Sequence, residues 1–447
     1  MRKFSLLIFA LACLCTQAQT RYVGGDISML PKYEQYNKAY KDINGKKITD
    51  LIPWFMSDCG WNTFRVRIFV HPAQKSPDYK STDLAVCQDL EYVTALGKRI
   101  KDAGAYFMLD FHYSDSWVDA SHIQAPAAWK GASDEVMADS VGRYTREVLT
   151  ALNAVGATPD LVQVGNEIMY GLCGLRVHPY YDATDKWPGY LGLLKAGCNA
   201  VRELCPNAQI IIHTDRPCEK TNNRYYYTKL INNDVDFDII GLSYYPFWHA
   251  YMTPTETNTG AQVLQPLINA INQLATDFPT KKVQIVEFAY NFQYWPTSGV
   301  KYDTRPVWPC QDDDKGTDGI KGQFNFVKDF VDNLKPLTNL NGINYWFPEE
   351  AGTGDGTNEG KIIAGYLNRG FWNPTAGSSG HSILKVGAAS LGQCAPYYMR
   401  NFLNGSGTGI ETLTLRSDIP TRKILKEGQL LILRSDGSLF APDGSRR

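Results

Sequence analysis

Eight short runs of β-branched and apolar residues, each followed by a longer amphipathic stretch, limit what this chain can fold into. They span residues 22–28, 63–70, 106–112, 161–166, 209–214, 237–244, 283–288 and 342–347. Strands that read as nearly continuous apolar runs and alternate with helices belong to parallel sheets covered on their outer face. Eight is the number that closes a (β/α)8 barrel. Residues 84–103 carry apolar positions at helical spacing, with Lys98, Arg99 and Lys101 late in the segment, where cations suit the helix dipole. Residues 191–204 read the same way. The expected class is α/β, a (β/α)8 TIM barrel over residues 19–395, followed by a small β appendage over 396–447. There Glu427-Gly428 and Asp436-Gly437 mark hairpin turns.

The first 18 residues begin with Arg2 and Lys3, continue with an apolar stretch and end on a small residue at Ala18. That is the pattern of a secretory signal peptide, too short to span a membrane, and it predicts a secreted or cell-surface protein. A lipid anchor at Cys13 is the less favoured arrangement, because Ala10 stands where a leucine is usual. Eight cysteines remain beyond the leader (Cys59, Cys87, Cys173, Cys198, Cys205, Cys218, Cys310 and Cys394), as structural disulfides or as buried thiols. A formal net charge of -1 argues against a nucleic-acid partner. The 10 Trp and 26 Tyr exceed what core packing alone asks for and suit a groove that stacks sugar rings.

Polar residues collect just after the apolar runs: Asp26, Arg67, His112, Asn166, Glu167, Asp215, Tyr244, Glu287 and Trp346. The C-terminal ends of barrel strands are where such enzymes do their chemistry. Glu167 closes the fourth run and Glu287 the seventh, which supplies the two carboxyl groups that glycosidic hydrolysis requires. Alone, Asn166-Glu167 could equally be a helix-capping pair.

Four segments carry a more specific likeness: GGDISML at 24–30; DFHYSDSW at 110–117, with Gln124 and the Pro-Ala-Ala-Trp that ends at Trp129; VQVGNEI at 162–168; and IGLSYYPFWH at 240–249. Together they resemble the endo-β-1,4-galactanases of glycoside hydrolase family 53, over about 22–374. The resemblance implies a retaining hydrolase that cleaves internal β-1,4 links in galactan or arabinogalactan side chains of pectin. Glu167 would be its acid/base and Glu287 its nucleophile.

Further expectations follow for the site. Asn166 is expected to contact a sugar 2-hydroxyl, and Arg67, favoured over Arg65, to hold Glu287 ionised. Tyr244 is expected to donate to the nucleophile, His112 and Asp115 to contact hydroxyls, and Trp117, Trp248 and Trp346 to stack beneath rings. His213 and Asp215 are further candidates for hydroxyl binding, and Asp26 for a structural role. The partners would be β-1,4-galactan and galacto-oligosaccharides, taken by a monomer with no required cofactor. A structural Ca2+ is a lesser expectation, with oxygen ligands offered by Asp312–Asp314 and by 349–359. The chain departs from the family in having Trp346-Phe347-Pro348 where Trp-Glu-Pro is usual, and Phe69 where a Trp is usual. Another β-glycanase of the same clan, acting on mannan or xylan, and a non-catalytic galactan-binding barrel are the alternatives.

Overall fold

The computed structural model describes residues 20–36, 39–72, 85–179, 186–249, 258–292, 307–308, 319–351, 369–373, 380–387, 391–404, 421–426, 429–434 and 439–440. Eight parallel strands form its centre: β1 (Tyr22–Asp26), β2 (Thr63–Ile68), β3 (Tyr106–Phe111), β4 (Leu161–Val164), β5 (Gln209–Thr214), β6 (Ile239–Tyr244), β7 (Lys282–Phe288) and β8 (Leu340–Trp346). β8 pairs back onto β1, from Tyr22↔Gly342 to Asp26↔Trp346, and closes the barrel. Every strand expected from the sequence is present, with ends displaced by one or two residues.

The outer layer comprises α1 (Leu51–Ser57), α2 (Leu90–Asp102), α3 (Asp134–Ala154), α4 (Trp187–Leu204), α5 (Lys220–Asn232), α6 (Gly260–Asp277) and α7 (Gly319–Leu334). α2 starts later than its apolar pattern suggests because the Asp89 carboxylate accepts from the Tyr92 N–H and caps the helix there. The eighth outer position is filled by helical turns at Ala395–Tyr398 and Met399–Phe402, which pack on α7 and β1. The Trp61 indole donates to the Pro396 carbonyl at 3.0 Å and Arg21 donates to the Phe402 carbonyl at 2.9 Å. The barrel layer therefore runs past the boundary expected near Pro396. Beyond it, β9 (Thr421–Lys426) pairs antiparallel with β10 (Gln429–Arg434), and β10 with β11 (Leu439–Phe440), as the two turn signals imply.

Alternation along the strands sorts the barrel interior into layers. Tyr22, Met108, Leu161, Ile211 and Ile239 join Val286 in an apolar cluster that seals the lower half. Two residues further along β3, β4 and β5 stand Asp110, Gln163 and His213, all buried, and the Arg65 side chain of β2, which pairs opposite Met108, reaches Asp110 and Gln163. A buried polar layer of this kind persists only if its members satisfy one another.

Of the eight cysteines after residue 18, seven (Cys59, Cys87, Cys173, Cys198, Cys205, Cys218 and Cys394) are free thiols, and burial pushes the Cys87 thiol up to about 11 and that of Cys218 up to about 12. Residues 1–19 (which include the expected signal peptide), Cys310 and the acidic run 312–314 lie outside the described residues.

Candidate active site

The C-terminal mouth of the barrel opens into a cavity of about 510 Å³, lined by Glu167 and Glu287 together with Arg65, Arg67, His112, Asn166 and Trp117, among others. Glu287 projects from β7. The β6–β7 pairing shifts register here, from Leu242↔Ile285 to Ser243↔Glu287, an irregularity that turns the Glu287 side chain into the mouth. Glu167 follows β4 after a turn in which Gly165 has φ 92° and Glu167 itself has φ 49°, ψ 47°. Left-handed backbone at a non-glycine residue is strained by about 1–3 kcal/mol and is concentrated at functional sites.

The two carboxyl groups have different neighbours. One oxygen of Glu287 meets Arg65 Nη1 at 2.9 Å, and the other accepts from the Tyr245 hydroxyl at 2.7 Å. Burial raises the Glu287 pKa, and Arg65 and Tyr245 both pull against it. Among the described residues Glu167 meets no cation within ion-pair distance. Its Oε1 accepts from the Ser243 hydroxyl at 2.6 Å, while burial and then the charges of Glu287 and Asp215 drive its pKa well above the usual carboxylate range. Asp215, also at the cavity wall, is pushed up to about 6 by burial, with Arg216 opposing.

Arg65 organises the floor. Its Nε donates to Gln163 at 3.3 Å, Nη1 reaches Asp26 at 2.7 Å besides Glu287, and Nη2 reaches Asp110 at 2.7 Å and Asn166 at 2.8 Å. All the guanidinium donors are thus engaged. Burial alone would lower the Arg65 pKa, but Asp110, Glu287 and Asp26 carry it upward, so the cation is secure. Asp26, which also accepts from the Ser28 N–H at 3.0 Å, has the structural role expected of it.

A second chain of bonds sits under Glu167. His213 is fully buried, and burial with the nearby Arg65 cation lowers its pKa well below the usual imidazole value, so the ring is neutral. Its Nδ1 lies 3.0 Å from Gln163 Nε2 and accepts from the Glu167 N–H at 3.3 Å, which assigns the ring proton to Nε2. That proton points at Ser243 Oγ, 2.8 Å away, and the serine hydroxyl in turn points at Glu167 Oε1. Oε1 is thereby committed as an acceptor, and the acidic proton of Glu167 belongs on Oε2. His213 supports this carboxyl group and is not among the cavity-lining residues.

Several expectations need correction. Arg65, not Arg67, holds Glu287: two residues apart on one strand, both face inward, so depth decides and the lower one meets the floor carboxylates. Arg67 does line the cavity, 3.4 Å from Asp26 and 4.4 Å from the Trp117 ring centre. Tyr245 takes the part expected of Tyr244. Alternation through Ser243 turns Tyr244 outward, where its ring stacks on Phe330 of α7 at 5.7 Å. Asp115 ties loops together instead of facing substrate, accepting from the His71 N–H at 3.0 Å and the Ala127 N–H at 2.8 Å.

The other expected residues lie at the mouth. His112 accepts from the Val118 N–H through Nδ1 at 3.0 Å and turns Nε2 to Asp110 at 3.2 Å, so it fixes a loop while facing the cavity. Asn166 donates to the Val118 carbonyl at 2.7 Å. Trp117, Trp248 and Trp346 all line the cavity, Trp248 with 54% of its surface exposed. Of the candidate calcium ligands, Glu349 accepts from the Met29 N–H and Glu350 from the Arg369 and Gly370 N–H groups, and residues 352–359 are outside the described residues. No group of three His, Cys, Asp or Glu side chains among the described residues is arranged to hold a metal ion. Sequence reasoning missed Ser243, Tyr245 and Arg369. Continuing the inward alternation of β6 from Gly241 would have found the first two.

A glycosyl hydrolase family 53 model matches residues 22–378. The chain belongs to that family. It is 31% identical over 360 residues to a probable arabinogalactan endo-β-1,4-galactanase A of Aspergillus terreus, covering 78% of this chain and 92% of the relative. Against arabinogalactan endo-β-1,4-galactanase A of Emericella nidulans the identity is 29% over 369 residues, covering 80% of this chain and 94% of the relative. Its fold is similar to that of the Ignisphaera aggregans family 53 catalytic domain, with a TM-score of 0.67 at 24% identity over 89% of this chain and 99% of the other.

Proposed function

We propose that this family 53 hydrolase is an endo-acting, retaining β-1,4-galactanase, exported through its N-terminal leader to act on galactan side chains of pectin. The observation that carries the reading is the contrast between the carboxyl groups: Glu287 has a guanidinium and a phenol, and Glu167 has neither. Protonated Glu167 gives its Oε2 proton to the departing glycosidic oxygen while ionised Glu287 attacks the anomeric carbon. Glu167, now ionised, then takes a proton from the water that releases the sugar. Asn166, beside both groups, is suited to a 2-hydroxyl, and the three tryptophans to ring faces. The galactan assignment draws on the family 53 relatives named galactanases.

Incubation with linear β-1,4-galactan, arabinogalactan, xylan and mannan tests it. Short galacto-oligosaccharides whose first-formed reducing ends keep the β configuration are expected from the galactans. Release from xylan or mannan alone would overturn the substrate, and inverted products the mechanism.

A further inference from the structure

Four arginines line the cavity, and three have acidic partners. Arg65 is shared by Asp26, Asp110 and Glu287, Arg67 meets Asp26, and Arg216 meets Asp215 at 3.2 Å. Arg369 is different. It is 5% exposed and, among the described residues, no carboxylate lies within ion-pair distance of it; its Nε, like those of Arg67 and Arg216, has no described hydrogen-bond partner. Its guanidinium carbon lies 4.7 Å from the ring centre of Tyr245, 5.0 Å from Trp346 and 5.6 Å from Trp248.

Aromatic faces stabilise a guanidinium through its charge. They do not use the N–H groups in its plane, so the cage keeps the cation in place and leaves its donor fork unspent. The cage stands by the tyrosine that donates to Glu287, at the wall of the cavity where substrate must lie. Neutral hydroxyls can be bound by an amide or a serine. A planar fork of charged donors is matched best by a planar anion.

We propose that Arg369 binds the carboxylate of an acidic sugar, so that the site accepts a galactan chain in which a residue near the scissile link is a uronate. The inference rests on the galactan reading for its scaffold and extends it from a neutral polymer to a chain carrying carboxylates. No bond forms or breaks at Arg369, and its part is recognition.

The test compares a linear β-1,4-galacto-oligosaccharide with the same chain oxidised at C6 to carboxylate, titrated calorimetrically into the Glu287→Gln protein and into Glu287→Gln with Arg369→Met. The oxidised chain is expected to bind about tenfold more tightly than the neutral one to the first protein, with an advantage that shrinks as salt rises, and the affinity ratio should fall to about one in the second. Arg369→Lys, which keeps the charge and loses the fork, should give an intermediate ratio and controls for folding. Equal affinities for the two chains in the protein that retains Arg369, or an unchanged ratio after its removal, would overturn the proposal. If neither chain binds, the galactan reading falls, and titration of galacturonate against galactose on the same proteins still decides the role of Arg369.

Discussion

The two sides of the cavity are built on opposite principles. On the β7 side, a guanidinium and a phenol favour the charge of Glu287 against burial and the charges of Asp110 and Asp26, and that cation is itself fixed by two further carboxylates and two side-chain amides. On the β4 side, low-dielectric burial and the negative neighbours Glu287 and Asp215 disfavour the charge of Glu167, and among the described residues the Ser243 hydroxyl, backed by neutral His213, is the support that opposes them. Two chemically identical side chains at the ends of barrel strands thus have different proton affinities, both raised by burial but that of Glu167 raised further, because of what lies beneath them. The proposed division of labour between nucleophile and acid rests on the floor more than on the carboxyl groups.

Removing the carboxylates should break the comparison most severely. Glu287→Gln is expected to lower kcat by about 10⁴-fold or more on every substrate, because in the proposed mechanism Glu287 forms the covalent intermediate. Glu167→Gln should be as damaging on galactan. On an aryl β-galactoside whose leaving group needs no proton, it should retain far more of its first chemical step than Glu287→Gln does. Burst kinetics with such a substrate separate the two, and equal losses would mean that the roles are wrongly assigned.

Arg65→Met should follow in size. It leaves Asp26, Asp110 and Glu287 without their shared cation, and unpairing a buried ion pair costs about 3–5 kcal/mol. A large fall in the denaturation midpoint is therefore expected. In the protein that still folds, the acid limb of kcat/KM should move to higher pH, since Arg65 is what holds the Glu287 pKa down. Arg67→Met should leave that limb much closer to its original position.

How legible all this was depends on the scale of the pattern. The eight strands could be read from local composition, and Glu167 and Glu287 from their places at strand ends. What the sequence hid is which of two near neighbours does a job. Arg65 and Arg67 share a parity, and only their height relative to Asp110 and Gln163 on other strands separates them. Tyr244 and Tyr245 differ in parity, but the strand's inward face must be known before that helps. Arg369 carries no periodic signal, and its neighbours Tyr245, Trp248 and Trp346 come from two distant segments.

Two milder substitutions sharpen the contrast. Tyr245→Phe removes a bond that stabilises charged Glu287, so the acid limb should rise and kcat fall by about 10–10²-fold, whereas Tyr244→Phe should leave the pH profile in place. Ser243→Ala acts on the other side. It deletes the hydrogen bond that opposes the rise in the Glu167 pKa, so the alkaline limb should move further up while the acid limb moves less. kcat should fall about tenfold on galactan and less on an activated aryl glycoside. A shift of the alkaline limb downward would contradict the bond directions assigned to His213 and Ser243.

The smallest expected effect comes from a carboxyl group that shares the environment of Glu167 without its place in the cavity. Glu349 is fully buried, accepts from the Met29 N–H at 2.9 Å through Oε1, and has no described partner for Oε2. Burial first, and then the Asp26 charge, raise its pKa well above the usual range. The folded protein therefore holds this proton at pH values where the unfolded chain has released it. The contribution is whole below the unfolded carboxyl pKa of about 4.3 and is lost as pH rises through the folded value, at about 1.4 kcal/mol for each unit of separation. Glu349→Gln keeps the acceptor for Met29 and removes the titration. Its thermal midpoint should match that of the unmodified protein near pH 4 and exceed it increasingly toward pH 8. Parallel curves across that range would show that burial and the nearby Asp26 charge do not outweigh Arg67 and the backbone bonds at Glu349, and would weaken the case that burial keeps Glu167 protonated.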